Sequence, residues 1–464
     1  MESANQSEKS KEPTSPFFQF LSSLKVKHLS EIQLFLFAFA MLLGNRTSGW
    51  NSGLNTHGVS ALWYNHLFSA SGFICLCLCM GEMASALPFS GGVFGFVRAA
   101  LGPFFGFMIA SCEFVFAILS ISLKAQRLLS SGADSNNGAD SGGVIMIFAF
   151  CLGLNLIGGK PVFFFTSMMG FFVAMMLIIY LCGTLSVVGT DKVNFTHYSP
   201  AVVDFSWFHI MSERAAVGGQ FSGIQLLPLL SEYMREPREQ LPRLMLGSCI
   251  FFMVMTVFLV LAAISQDPGA KKIQSVPLPL QAGYVRIFHI HDLANMNWFD
   301  LPFQISAIFC LFFCAGKQLL SLSRSGLLPP IFTNLLPGSD SPYVCYTFTA
   351  IVGAGLNIMV LYNQDYLTEI KAVSSTVSIT ILISCLISFI VFRRKFSSMA
   401  RSFVNPLGDI SAIYGIIVFV TSFWAILFYN PANKLFLVGL GGYWTLCAVF
   451  FCTYLVHHQK FSEE

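Results

Sequence analysis

Apolar segments long enough to cross a bilayer recur from one end of this chain to the other, and they leave it few ways to fold. About 20 apolar residues span the hydrocarbon core as a helix. That ruler gives twelve segments, near 32–54, 61–86, 103–128, 143–159, 161–189, 207–231, 244–265, 299–321, 343–361, 370–392, 408–429 and 433–456. Charged residues make up 11% of the 464, against about 25% in soluble domains. The fold class expected is an all-α polytopic membrane protein with the lipid bilayer as its main partner. A net charge of +3 is too weak to argue for nucleic acid. The thirteen cysteines lie mostly in apolar runs, as do Cys75, Cys77, Cys79, Cys310 and Cys314, and read as small packed side chains with no metal site.

Lys and Arg in short connections set orientation. With the N-terminus inside, Lys25, Lys27, Arg98, Lys160, Arg235, Arg238, Arg243, Arg324, Arg393, Arg394, Lys395, Arg401 and Lys460 fall on the cytosolic side. The outer side gets few: Lys192, Lys271, Lys272, Arg286 and Lys434. The organisation expected is a cytosolic tail (1–30), a ten-helix core (31–392), a cytosolic linker (393–407), two further helices (408–456) and a second cytosolic tail (457–464). The polar N-terminus lacks the short apolar core and cleavage site of a signal peptide. Asn194, in an NFT sequon on the outer side, is the glycosylation candidate. His289 and His291 in the loop 266–300 read as ordinary loop histidines.

Two segments break the pattern. In the first, GNRTSGWNSG (44–53) sets three glycines, two asparagines, Thr47, Ser48 and Arg46 inside a spanning run. Irregular backbone at that depth is tolerated only when buried in protein or facing a watery cavity. The sixth segment is loosened likewise, by Gly218, Gly219, Gln220, Ser222, Gly223, Gln225 and Pro228. Glycines alone also read as close helix packing. Broken helices at corresponding places in two halves point to a transporter with its substrate between them.

The residues 81–107, GEMASALPFSGGVFGFVRAALGPFFGF, resemble the signature of the amino acid/polyamine/organocation (APC) permeases. So do NLIGGK (155–160), EYMREPREQLPR (232–243), LSRSGLLP (322–329) and GWNSGL (49–54), in family order. The ethanolamine permease branch is the nearest likeness. The resemblance implies twelve helices with five-plus-five inverted repeats, discontinuous helices one and six, and secondary active uptake of a small amino acid or amine as symporter or antiporter. It implies a substrate site at Asn45, Arg46, Thr47, Ser48, Gly49, Trp50, Glu113, Phe221, Ser222, Gly223 and Gln225, a plasma-membrane location, and no cofactor beyond a coupling proton or sodium ion.

The departures concern charge. Gln225 stands where the family often has Glu, Val173 where many members have Lys, and Arg46 where ethanolamine-type members tend to have an acid. A guanidinium favours a carboxylate over an amine. Arg46 either binds substrate or is paired with Glu113, which is also the coupling candidate. Trp50 reads equally as cavity wall or interfacial anchor. Glu213 and Arg214 are the gating candidates, with a solvated ion pair as the plainer reading. Lys317 is expected to snorkel to the cytosol. An enzyme is disfavoured because no nucleophile elbow or HExxH motif is present. A non-transporting sensor on the same fold is the alternative function.

Overall fold

Ser30 opens the first helix with a reciprocal cap. Its hydroxyl accepts from the Gln33 N–H at 3.3 Å and its own N–H donates to Gln33 Oε1 at 3.1 Å, which satisfies donors the helix itself leaves open. The computed structural model describes residues 22–44, 50–51, 54–132, 141–188, 221–265, 273, 278–289, 299–363, 366–429 and 435–455. In chain order these form α1 (Glu31–Leu43), α2 (Leu54–Ala86), α3 (Val93–Leu101), α4 (Pro103–Gly132), α5 (Ser141–Ile157) and α6 (Gly159–Val188). A 3-10 segment, Ile224–Tyr233, follows. Then come α7 (Pro237–Ser265), α8 (Gln281–Phe288), α9 (Leu301–Arg324), α10 (Tyr343–Tyr362), α11 (Tyr366–Lys395), α12 (Asp409–Tyr429) and α13 (Leu435–Phe450).

Among the described residues there is no strand, and nine helices are long and apolar enough to cross a membrane. Two shorter apolar helices, Glu31–Leu43 and Ser141–Ile157, accompany them. The regular structure of the described residues is therefore all helical, and the chain is an integral membrane protein. Helix α9 is its axis: 94% of its most apolar stretch is buried, against 11% for the stretch that includes α13. It packs on α1, α4, α6 and α10 through Phe303, Phe309, Phe312 and Phe313.

The connections rich in Lys and Arg gather at one end of the bundle, here called the basic end. The Lys160 N–H donates to Leu24 O (2.7 Å), Leu29 N–H to Tyr233 O (2.8 Å) and Arg98 to Ser325 O (3.1 Å). Lys25 pairs with Asp340 (2.7 Å), and Lys395 donates to Ala99 O (3.2 Å). The stretch 393–407, which reads as a linker, folds around a buried carboxylate. Glu82, near the end of α2, is fully buried and is held by Arg401, by Arg393 Nε (3.4 Å) and by the Asn405 N–H (2.9 Å). Ser85 donates to Phe403 O at 2.9 Å beside it.

Removing one partner of a buried ion pair strands the other charge and costs about 3–5 kcal/mol. Glu82→Ala is therefore expected to lower unfolding stability in detergent micelles by about that amount, with the Arg401 side chain left uncompensated. A loss under about 1 kcal/mol, the range of an exposed pair, would contradict the buried hub.

Candidate functional site

The described flanks of the two sequence interruptions lie against each other. Helix α1 ends at Gly44, where a Cβ would sit 2.6 Å from both Phe303 O and Ala307 Cβ of α9. Only glycine lets the backbone lie this close to the axis helix. The second interruption resumes at Phe221 and turns at Gly223, whose φ of +119° is one that L side chains rarely adopt. A Cβ on Gly223 would meet Leu42 at 3.4 Å and Met41 at 3.8 Å, in the last turn of α1. The start of the 3-10 segment thus lies against the end of the first helix.

Local chemistry fixes each described residue. The Gly223 N–H donates to Gln225 Oε1 at 2.8 Å, which orients that amide and leaves Gln225 Nε2 buried with no hydrogen-bond partner. Ser222 Oγ lies 3.0 Å from Ser378 Oγ of α11. Phe221 is fully buried, its ring 5.3 Å from His66, 5.2 Å from Phe73 and 5.2 Å from Phe252. Trp50 is 3% exposed and packs into the main core, an environment unlike that of an interfacial anchor. Asn51 beside it donates to Ile273 O at 2.7 Å, so the long loop before α9 reaches back to the first break. Asn45, Arg46, Thr47, Ser48, Gly49, Asn194, Glu213 and Arg214 lie outside the described residues.

Glu113 of α4 has an office that the sequence did not announce. Fully buried, it accepts from the N–H groups of Val93 (3.0 Å) and Phe94 (3.3 Å) and from Gln318 Nε2 of α9 (2.6 Å). Val93 and Phe94 open α3, so the carboxylate caps a helix N-terminus, whose free N–H groups and dipole favour an anion. Its described hydrogen-bond partners are uncharged donors, with no guanidinium among them. Gly92, the second glycine of the SGG signature, has φ +76°, and a Cβ there would lie 3.1 Å from Glu113 Oε1 and from Gln318 Oε1. The signature glycine is explained by this close approach.

Lys317 corrects an expectation. Rather than snorkelling to solvent, it is 7% exposed and its Nζ is 3.0 Å from Glu232 Oε2. Sequence reading also missed His66, buried in α2 and stacked on Phe221. Its one signal was a lone polar ring inside an apolar run. Among the described residues no group of three or more His, Cys, Asp or Glu gathers to hold a metal.

A bundle of long apolar helices in which the Gly223 turn lies against the last turn of α1, beside the most buried helix, suits a membrane transporter, and the comparisons agree. The sequence profile of the family described as "Amino acid permease" matches residues 29–451. The chain belongs to the amino acid permease family. It is 22% identical over 357 residues to a methylthioribose transporter of Bacillus subtilis (strain 168), covering 73% of this chain and 75% of that protein. Branched-chain amino acid permease BcaP of the same organism is 23% identical over 377 residues, with coverage of 73% and 75%. Amino-acid permease RocC, also from that organism, is 22% identical over 367 residues, with coverage of 73% and 74%. The protein is thus a transporter of amino acids or related compounds.

Each stranded buried donor costs about 1–3 kcal/mol. Glu113→Leu strands three, so its unfolding stability should fall by several kcal/mol, and Gly92→Ala should also destabilise through its φ. Denaturant unfolding in micelles measures both. Wild-type stability in Glu113→Leu would contradict the capping role.

Proposed function

We propose that the chain is a secondary active transporter of small zwitterionic amino acids, working by alternating access around the two breaks. The single observation that carries this reading is the contact of the Gly223 turn with the last turn of α1, because discontinuous helices meeting at one level expose backbone groups that can hold a solute. Twelve spans in five-plus-five inverted repeats, both termini cytosolic, and residence in the plasma membrane belong to the same reading.

The substrate class follows from which polar groups are already used. Glu113 is capped by three donors, which leaves it a poor counter-ion for a cationic amine such as ethanolamine. Gln225 spends its carbonyl on Gly223, and its buried Nε2 is the donor left over. We assign that N–H group to a substrate oxygen, a carboxylate or carbonyl that reaches it once the breaks part. Neutral Gln225 suits a solute with no net charge better than the Glu common in the family. Names among the relatives include amino acids and methylthioribose, all small polar solutes with oxygen acceptors. Glu113 is the proposed coupling carboxylate; uptake in Glu113→Gln that keeps its wild-type dependence on a proton gradient removes it from that role.

A ligand that binds only the folded state raises apparent stability by mass action. Purified protein is therefore expected to melt higher with neutral amino acids than with ethanolamine at the same concentration. Gln225→Leu should weaken that effect by about 10- to 100-fold in ligand concentration, as expected for a lost hydrogen bond to a charged group. Stabilisation by ethanolamine alone would overturn the assignment of substrate charge.

A further inference from the structure

We propose that the buried Lys317–Glu232 ion pair is a latch that holds the transport path shut at the basic end, and that breaking it releases the segment Ile224–Tyr233 for the inward-opening step. This rests on the alternating-access reading above. The geometry divides the region into a fixed part and a part built to move.

The fixed part is α9. It is the most buried of the spanning helices, and Gln318, next to Lys317, bonds Glu113 at 2.6 Å and so ties α9 to the capped start of α3. The movable part is the 3-10 segment. Its i→i+3 bonds are poorer than those of an α-helix, Pro228 lies inside it, it begins at the Gly223 turn and it ends at Met234 in extended conformation. One end is thus a glycine pivot. The other end carries the latch.

Four contacts converge there. Lys317 Nζ is 3.0 Å from Glu232 Oε2 and 4.8 Å from the centroid of the Tyr233 ring. Arg324, half-exposed one and a half to two turns further along α9, reaches the other carboxylate oxygen at 3.3 Å. The Leu29 N–H, just before α1, donates to Tyr233 O at 2.8 Å. That bond joins the entrance of α1 to the end of the 3-10 segment, so the two can swing together.

The pair is asymmetric, and the asymmetry suits a latch. Lys317 is almost wholly buried, whereas the Glu232 and Arg324 side chains are 37% and 45% exposed. Burial pushes the Glu232 carboxyl up, but Lys317 and Arg324 beside it outweigh burial and hold it below its usual range. Moving outward, Glu232 keeps Arg324 as its partner while it gives up Lys317. The cost of opening then falls on the buried ammonium, because an unpaired buried charge is strongly unfavourable. Closure is the resting preference, and opening is the step that needs substrate.

Two readouts test this without any substrate. In hydrogen–deuterium exchange, Lys317→Met and Glu232→Gln should each speed amide exchange within 224–233 by about 10-fold. The double swap Lys317→Glu with Glu232→Lys should restore it, and exchange in 103–129 should stay unchanged. For sidedness, Leu226→Cys is placed in a chain whose exposed Cys182 and Cys452 are replaced by Ser. An impermeant maleimide should label it faster in the latch variants, and only from the face that carries the basic end; Leu226 itself is 1% exposed. Arg324→Ala, which leaves the buried pair intact, should change both by less than about threefold, and it carries the test together with the swap if a single variant does not fold. Wild-type exchange and labelling in the latch variants would overturn the proposal, as would equal loosening of 103–129 or labelling from both faces. Absence of amino acid transport would instead strike the proposed function, since neither readout involves a solute.

Discussion

A backbone N–H or C=O inside a membrane has to find its partner within the protein, and each unusual feature of this structure answers that demand. Where α1 stops, Asn51 is tied to Ile273 O. Where segment six turns, the side chain of Gln225 takes the N–H of Gly223. Where the short helix α3 begins deep beside α4, the carboxylate of Glu113 takes two of its first N–H groups. Side chains replace the missing helical bonds, and the price is a set of buried polar groups that cannot be altered singly.

The same accounting constrains charge. Glu82 is held by Arg393, Arg401 and the Asn405 N–H, Glu113 by three N–H donors, and Glu232 by Lys317 and Arg324. Glu82 is thereby committed to holding the fold and Glu232 to its moving segment, while Glu113 caps α3 and is also the coupling carboxylate proposed above. At the junction of the breaks, Gln225 Nε2 is a buried, uncharged donor left without a bond. A site furnished by neutral donors and backbone groups selects for hydrogen-bonding oxygen more than for a cation.

Much of this was legible in the chain because membrane-spanning runs and helix breakers are local signals. The starts of α4 and α10 and the end of α2 fall where hydropathy put them, whereas α2 begins at Leu54, inside the polar stretch ahead of the expected start at 61; Pro103 and Pro237 open helices as N-terminal prolines should. What escaped were long-range pairings. Nothing near Glu113 announces that Val93, Phe94 and Gln318 will surround it, and so it read as a partner for Arg46. Lys317 read as a snorkelling residue because its depth was counted along its own helix alone; Glu232, 85 positions away, supplies the counter-charge. The stretch 393–407 looked like a linker because its residues are polar, yet that polarity serves Glu82. Helix α8 was hidden in a loop whose prolines and histidines suggested no regular structure.

The account stands on one claim, that a small zwitterion crosses the membrane through the junction of the two breaks. Counterflow in proteoliposomes tests it most directly: vesicles loaded with unlabelled neutral amino acids are diluted into a trace of the labelled compound. The account predicts transient accumulation of label that Gln225→Leu reduces, with ethanolamine a poor replacement inside. Binding of the amino acid with no exchange across the membrane, or exchange indifferent to Gln225, would contradict it.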